Sequence, residues 1–303
     1  MMYKDRSKPI VLFVLEALLI RADLSDEDKQ YAYSQMKGYK GELHFDSIVE
    51  KYLPNYLMIP DLFLKSQGST FQIDMSILTD QKIYIYEVKN YQGELMYREG
   101  RLTYYSSGLE ILNPVSQVQR AAILLKNMLR KHNINLEVEP YVVFINPNCT
   151  IYQSIPDKRI LLPSLLDSHF KLIEKQSNIK TRKLLEIAEK LTNLNLKSKS
   201  YLLTDLPAHD FYLLKKGIYC SKCNEFLNKV LGRMCVCRFC GFKESAIDNA
   251  MRHTLEYQTL FPDETLKTEV LYTWCGELHS MYRLRKVLKS LNEEKSGEAR
   301  LSL

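Results

Sequence analysis

Ile73-Asp74-Met75-Ser76-Ile77-Leu78, Thr79-Asp80-Gln81-Lys82 and Ile83-Tyr84-Ile85-Tyr86-Glu87-Val88-Lys89 follow one another without a break. Two β-rich runs joined by a short polar turn predict an antiparallel hairpin. On the second strand Glu87 and Lys89 stand two residues apart and share a face, while Val88 takes the other. With Asp74 on the neighbouring strand, this is the acid–acid–lysine set that metal-assisted phosphodiester cleavage uses. Carboxylates suit a hard cation such as Mg²⁺ or Mn²⁺. A lysine can stabilise developing negative charge or orient the attacking water. An isolated Glu-x-Lys is more often a solvated surface pair, so the surrounding chain decides.

Working outward, Gly41-Glu42 lies on an expected early helix, Gln72 precedes Ile73-Asp74, and Asn90-Tyr91 and Gly93 follow Lys89. Asn113-Pro114-Val115-Ser116-Gln117 then opens another helix, with Pro114 at its first turn and Asn113 suited to cap it. In this order and at these spacings the motifs resemble those of the NERD family, the nuclease-related domain, a branch of the restriction-endonuclease-like (PD-(D/E)xK) superfamily. The resemblance covers roughly residues 38–150. It implies an α/β fold, a mixed sheet flanked by helices, and DNA cleavage. It also implies Asp74 and Glu87 as ligands of a catalytic divalent cation, with the Val88 carbonyl as a third. Lys89 would meet the scissile phosphate or the water. Glu42 would add an acid or orient the water, and Gln117 would orient Lys89 or touch the phosphate. Glu42 as an exposed helix carboxylate, and Gln117 and Asn113 as architectural residues, remain open. Ile73 stands where the superfamily often has proline.

Two carboxylates without a protein nucleophile match hydrolysis by a cation-activated water. The chain has no Gly-rich Walker loop and no serine nucleophile elbow, which argues against ATP coupling and serine hydrolysis within it.

A second cluster lies near the C-terminus. Cys220-Ser221-Lys222-Cys223 and Cys237-Arg238-Phe239-Cys240 are two C-x₂-C knuckles separated by thirteen residues. Four thiolates so spaced can close a tetrahedral structural Zn²⁺ site, and the segment resembles a zinc ribbon. Gly241 and Asn224, each following a knuckle, suit a left-handed backbone. Cys235 is a fifth thiol that could replace a ligand, and a redox role for one pair stays open. Seven cysteines, an odd number, with no evident secretory signal, argue against a disulfide framework. Cys149 and Cys275 read as buried apolar residues.

The segment His279–Lys289 carries Arg283, Arg285, Lys286 and Lys289 with no acid, and Met281, Leu284, Val287 and Leu288 make one apolar stripe. With Arg238 and Lys243 in the ribbon, and Lys222, Lys229 and Arg233 nearby, these residues form a candidate phosphate-binding surface. An amphipathic surface helix is the competing reading.

The 303 residues divide naturally into two or three units. The expected order is an N-terminal apolar segment 1–37, a nuclease-like domain 38–195, a linker 196–217, the ribbon 218–243, a helical, helix-turn-helix-like module 244–290 and a flexible tail 291–303. A hydrophobic share of 46% and a charged share of 26% describe a folded soluble protein, and a net charge of +6 permits nucleic-acid contact. The apolar run Ile10–Ile20 contains Glu16 and is too short to span a bilayer. It reads as a buried strand or helix, with no membrane partner and a cytoplasmic location expected. One helix is expected from Asp26 toward Met36, interrupted at Gly38, and a second from about Gly41 to Leu53-Pro54. A strand over Leu57–Leu64 is expected to break at Pro60. The expected partner is nucleic acid, foremost DNA, with a homodimer or accessory partner open. The alternative is a non-catalytic or partner-dependent DNA-binding protein of a repair or defence assembly.

Overall fold

The computed structural model describes residues 2–153, 157–175, 181–196 and 206–301, with side chains through residue 293. The expected linker therefore lies outside the described residues over 197–205, as do residues 302–303 of the expected tail. Backbone contacts divide the chain into two compact units, Met1–Ser7 with Ser34–Tyr201 and Lys8–Tyr33 with Leu202–Leu303. The segment expected as one N-terminal piece is thus shared between them.

The first unit is built on the hairpin. Strands β1 (Leu57–Ser66), β2 (Ser69–Leu78) and β3 (Lys82–Lys89) run antiparallel, and β7 (Glu137–Phe144) and β9 (Ile160–Leu161) continue parallel to β3. The order β1-β2-β3-β7-β9 makes a mixed sheet. Pro60 does not break β1, because β1 is an edge strand and a missing N–H is tolerated there. Helix α3 (Pro114–Lys131) covers one face, burying Val118, Ala121, Leu125 and Leu129 against Ile83, Ile85 and Val142. Helix α5 (Arg182–Asn193) adds Leu184, Ile187 and Leu191 to that core. The other face holds Phe45 and Val49 of α2 (Asp26–Tyr52), Leu53 just after it, and Leu166, Phe170 and Ile173 of α4 (Pro163–Glu174), packed around Tyr84 and Tyr86. A second sheet, ordered β6-β5-β4-β8, gathers β4 (Gly93–Arg98), β5 (Arg101–Tyr104), β6 (Glu110–Ile111) and β8 (Cys149–Gln153).

Gly38 does not interrupt a helix: α2 is continuous from Asp26 to Tyr52. A glycine costs about 1 kcal/mol against alanine in a helix interior. The burial of Ala32 on one side and Phe45, Val49 and Leu53 on the other outweighs that cost. Gly41 has a steric reason to be glycine, since a Cβ there would lie 2.7 Å from the Asn90 Cβ. Asn90 sits that close because its side-chain amide donates to the Lys37 carbonyl at 2.8 Å. The helix ends at Leu53-Pro54, where the residue before proline is pushed out of the α region.

In the second unit the apolar run is helical: α1 (Ile10–Arg21) buries Val14, Ala17 and Leu18. Strands β10 (Met234–Val236) and β11 (Lys243–Ser245) form a short hairpin, followed by α6 (Ala246–Leu260), α7 (Thr268–Trp274) and α8 (Met281–Leu301). Trp274, Leu271, Leu284 and Val287 are fully or almost fully buried among them. Residues 291–301, expected as a tail, continue α8. No described helix is long and apolar enough to cross a membrane.

Candidate active site and metal centre

The β2/β3 register pairs Met75 with Tyr86 and Leu78 with Ile83, so one further step sets Asp74 opposite Glu87. Asp74 Oδ2 accepts the Val88 N–H at 2.7 Å, which ties the first acid to the second strand. Lys89 Nζ lies 2.7 Å from Glu87 Oε1, as expected for residues sharing a strand face. Lys89 Nζ also donates to Gln117 Oε1 at 3.3 Å. Gln117 reaches this point because Asn113 caps α3, its Oδ1 accepting the Val115 N–H at 2.9 Å, which places Gln117 in the first turn. Asp74, Glu87, Lys89 and Gln117 therefore form one cluster. An open cleft of about 700 Å³ at the start of α3, lined by Glu110, Asn113, Ser116, Gln117 and Arg120, meets that cluster at Gln117.

Both acids are nearly dry, Asp74 at 6% and Glu87 at 5% exposure. Burial, with the Asp74 charge beside it, pushes the Glu87 carboxyl up to about 8, although Lys89 and Gln117 pull it down. Burial likewise raises Asp74 against the pull of Lys89, the Val88 N–H and Arg6. Burial alone would lower Lys89, but Glu87 and Asp74 outweigh it and hold the ammonium up at about 12. Near neutral pH one lysine thus faces two carboxyls that retain a proton between them. Two adjacent carboxyls that offer only oxygen donors, and that a divalent cation can relieve of the shared proton, fit a hard divalent cation.

Glu42 joins the cluster through a residue the sequence did not single out. Arg6 pairs with Glu42 through Nη1, with both Asp46 oxygens through Nε and Nη2 at 2.7 and 2.8 Å, and donates from Nη2 to the Asp74 carbonyl at 2.7 Å. The arm carrying Arg6 is held by a parallel bridge between Met2 and Met58 and by the Tyr3 N–H on the Met58 carbonyl at 2.8 Å. Its partners lie 36, 40 and 68 residues along the chain, and no local pattern around Arg6 marks them. The Arg6 side chain is 2% exposed. Arg6→Ala is therefore expected to cost about 3–5 kcal/mol, because Glu42 and Asp46 lose their buried guanidinium. Arg6→Lys should recover only part, since an ammonium cannot replace the two-pronged contact. Urea unfolding of both variants measures this, and a loss below about 1 kcal/mol would mean the pairs are screened as surface pairs are.

The cysteines converge as the spacing suggests. The sulfur atoms of Cys220, Cys223, Cys237 and Cys240 all lie within 4.8 Å of one another, with Cys220–Cys240 at 3.6 Å and Cys223–Cys237 at 3.5 Å. A metal–sulfur tetrahedron with bonds of about 2.3 Å has edges of about 3.8 Å, so the cluster is compatible with a zinc ribbon. Cys235 is buried outside it, and burial raises its thiol to about 11. Asn224 and Gly241 take φ of 62° and 71°, the left-handed backbone each knuckle turn needs.

Of the cations expected on nucleic acid, Arg238, Lys243, Arg285, Lys286 and Lys289 are exposed. Arg283 is half-buried, donating to the Gly232 carbonyl at 2.7 Å and lying 3.2 Å from His279 Nδ1, so it fastens α8 to the ribbon. No curated protein and no solved structure matches the chain. Residues 37–145 do match the sequence model of one family, described as the nuclease-related domain. This chain thus carries a nuclease-related (NERD) domain, restriction-endonuclease-like in fold, over residues 37–145.

Proposed function

We propose that the nuclease-related domain hydrolyses DNA phosphodiester bonds. The observation that carries this reading is the buried Asp74–Glu87 pair with Lys89 on one sheet face, meeting an open cleft at Gln117. Asp74, Glu87 and the Val88 carbonyl would hold Mg²⁺ or Mn²⁺, which supplies activation of the attacking water and relief of charge at the phosphate. Lys89 meets the negative charge that grows on the phosphate oxygens, where a preorganised cation in a dry site has its largest effect. Gln117 fixes the Lys89 ammonium at the mouth of the cleft. Arg6 holds Glu42 and the Asp74 backbone, so the acids keep their places against mutual repulsion. The four cysteines hold a structural Zn²⁺ with every coordination position filled by the protein. The ribbon cations Arg238 and Lys243 and the α8 cations Arg285, Lys286 and Lys289 hold the DNA backbone. The short α7, the turn at Gly276 and the basic α8 follow the element order of a helix-turn-helix.

The test is incubation of the full chain with labelled linear, supercoiled and single-stranded DNA, with Mg²⁺, with Mn²⁺ or with chelator. Cleavage of at least one form that chelator stops is the expected result. No cleavage of any form, with binding retained, would replace hydrolysis by a binding or partner-dependent role.

A further inference from the structure

The second cysteine knuckle carries more than cations. The six residues Cys237–Phe242 that join β10 to β11 include two phenylalanines, Phe239 at 57% and Phe242 at 38% exposure. Neither belongs to the buried core of the C-terminal unit. Leu231 and Met234, at the turn that leads into β10, are also exposed. Two rings and two aliphatic side chains facing water are a cost unless something flat and apolar covers them.

The charges around these side chains select the partner. Between Cys220 and Lys243 the chain has five basic residues (Lys222, Lys229, Arg233, Arg238, Lys243) and one acid, Glu225. That is a sum of +4, and still +2 once four thiolates around a divalent ion contribute −2. All five cations are exposed. The Arg238 guanidinium lies 4.9 Å from the Phe239 ring centroid, so a cation already sits beside the ring. A protein partner that is apolar alone would leave these charges unanswered. A closed duplex would answer the charges and leave the rings in water. An unpaired nucleobase on its own phosphate satisfies both.

We propose that the second knuckle is a base-stacking site for single-stranded nucleic acid, with Phe239 and Phe242 taking unpaired bases and Arg238 and Lys243 their phosphates. This rests on the reading of the ribbon as the nucleic-acid holder. It adds that the bound segment is unpaired, so the domain would act near ends, gaps or opened duplex.

Fluorescence anisotropy on the full chain tests it, with labelled single-stranded DNA, single-stranded RNA and blunt duplex DNA of equal length. Each sample is also assayed for bound zinc, so that loss of the ribbon itself is visible. The double variant Phe239→Ala/Phe242→Ala is expected to weaken single-strand binding about 10- to 100-fold, as stacking of one or two bases implies. Duplex affinity should change less than about threefold, and zinc content should not change. Phe239→Trp/Phe242→Trp, which keeps the rings, should bind single strands as wild type does. Arg238→Gln should weaken all three probes and flatten the salt dependence. Single-strand affinity within twofold of wild type in the alanine variant would overturn the stacking site, as would equal loss on duplex. Cleavage with Mg²⁺ by a chain that binds neither form through the ribbon would overturn it while leaving the nuclease reading standing. A preference for RNA over DNA of the same sequence would name the strand and keep the site.

Discussion

Asp74→Ala is expected to reduce metal-dependent DNA cleavage by about 10³-fold or more, and Lys89→Ala by about 10²- to 10³-fold, with substrate binding changed little. The double variant should lose no more than the worse single one, because groups that act as a unit are not additive. The reason is local. Asp74 is both half of the carboxyl pair and the acceptor of the Val88 N–H, while Lys89 is the only ammonium within bonding distance of Glu87 among the described ion pairs. The same burial fixes the pH dependence. Glu87 is pushed up to about 8, so at pH 6 its proton competes with any divalent cation, and at pH 8 about half of the carboxyls have lost it. Metal affinity and cleavage should therefore rise between pH 6 and 8, with protons released on metal binding. Lys89→Ala removes a charge that pulls Glu87 down, so its rise should move to higher pH. Asp74→Ala removes a charge that pushes Glu87 up, so metal-linked proton release should move to lower pH. Calorimetric Mn²⁺ titrations in buffers of different ionisation enthalpy read both shifts. Wild-type cleavage by Asp74→Ala, with unchanged metal dependence, would remove the acid pair from the chemistry.

What the sequence disclosed of this site follows from what is local. Glu87 and Lys89 share a face because strands alternate, and a short turn brings Asp74 across from them within fifteen residues, so the hairpin could be read directly. Gln117 was legible through its helix start, since Asn113-Pro114 places it one turn in. Arg6 was not legible, because it acts on acids supplied by α2 and on a β2 carbonyl, and only the folded sheet brings these together. Gly38 and Pro60 show the opposite failure. Both carry real local costs, and packing on either side of Gly38 and an edge position for Pro60 absorb them. The cysteine spacing marked the four converging thiols, but Cys235 could be set apart only by its burial elsewhere.

Stripping the metal from the cysteine cluster is expected to unfold the ribbon and lower the unfolding temperature of the C-terminal unit by 10 °C or more, at least ~2 kcal/mol. Strands β10 and β11 have three residues each, and a two-stranded hairpin of that size is marginal without a staple. The ribbon is also the floor of a larger core, because Cys220, Leu227, Cys235 and Cys237 are buried in one cluster with Trp274, Leu284 and Val287. A polar chain ties the same elements. Arg21 holds the Lys215 and Gly217 carbonyls and Glu256, Tyr219 donates its hydroxyl to Glu256 at 2.8 Å, and Arg252 joins the Tyr219 carbonyl to Glu244. Gly276 packs where a Cβ would lie 2.8 Å from the Gly217 Cα, so the turn before α8 cannot ignore a displaced ribbon. Disorder at the knuckles should therefore spread to α1, α6 and α8 rather than stay local. Cys237→Ser should reproduce the effect of chelator and drop bound zinc from one ion per chain toward none. Cys235→Ser and Cys149→Ser, at buried thiols outside the cluster, should keep the ion. Metal analysis with thermal unfolding decides it. Equal loss of zinc from Cys235→Ser would place the fifth thiol in the site, and a metal-free chain melting as the loaded one does would leave the ribbon held by packing alone.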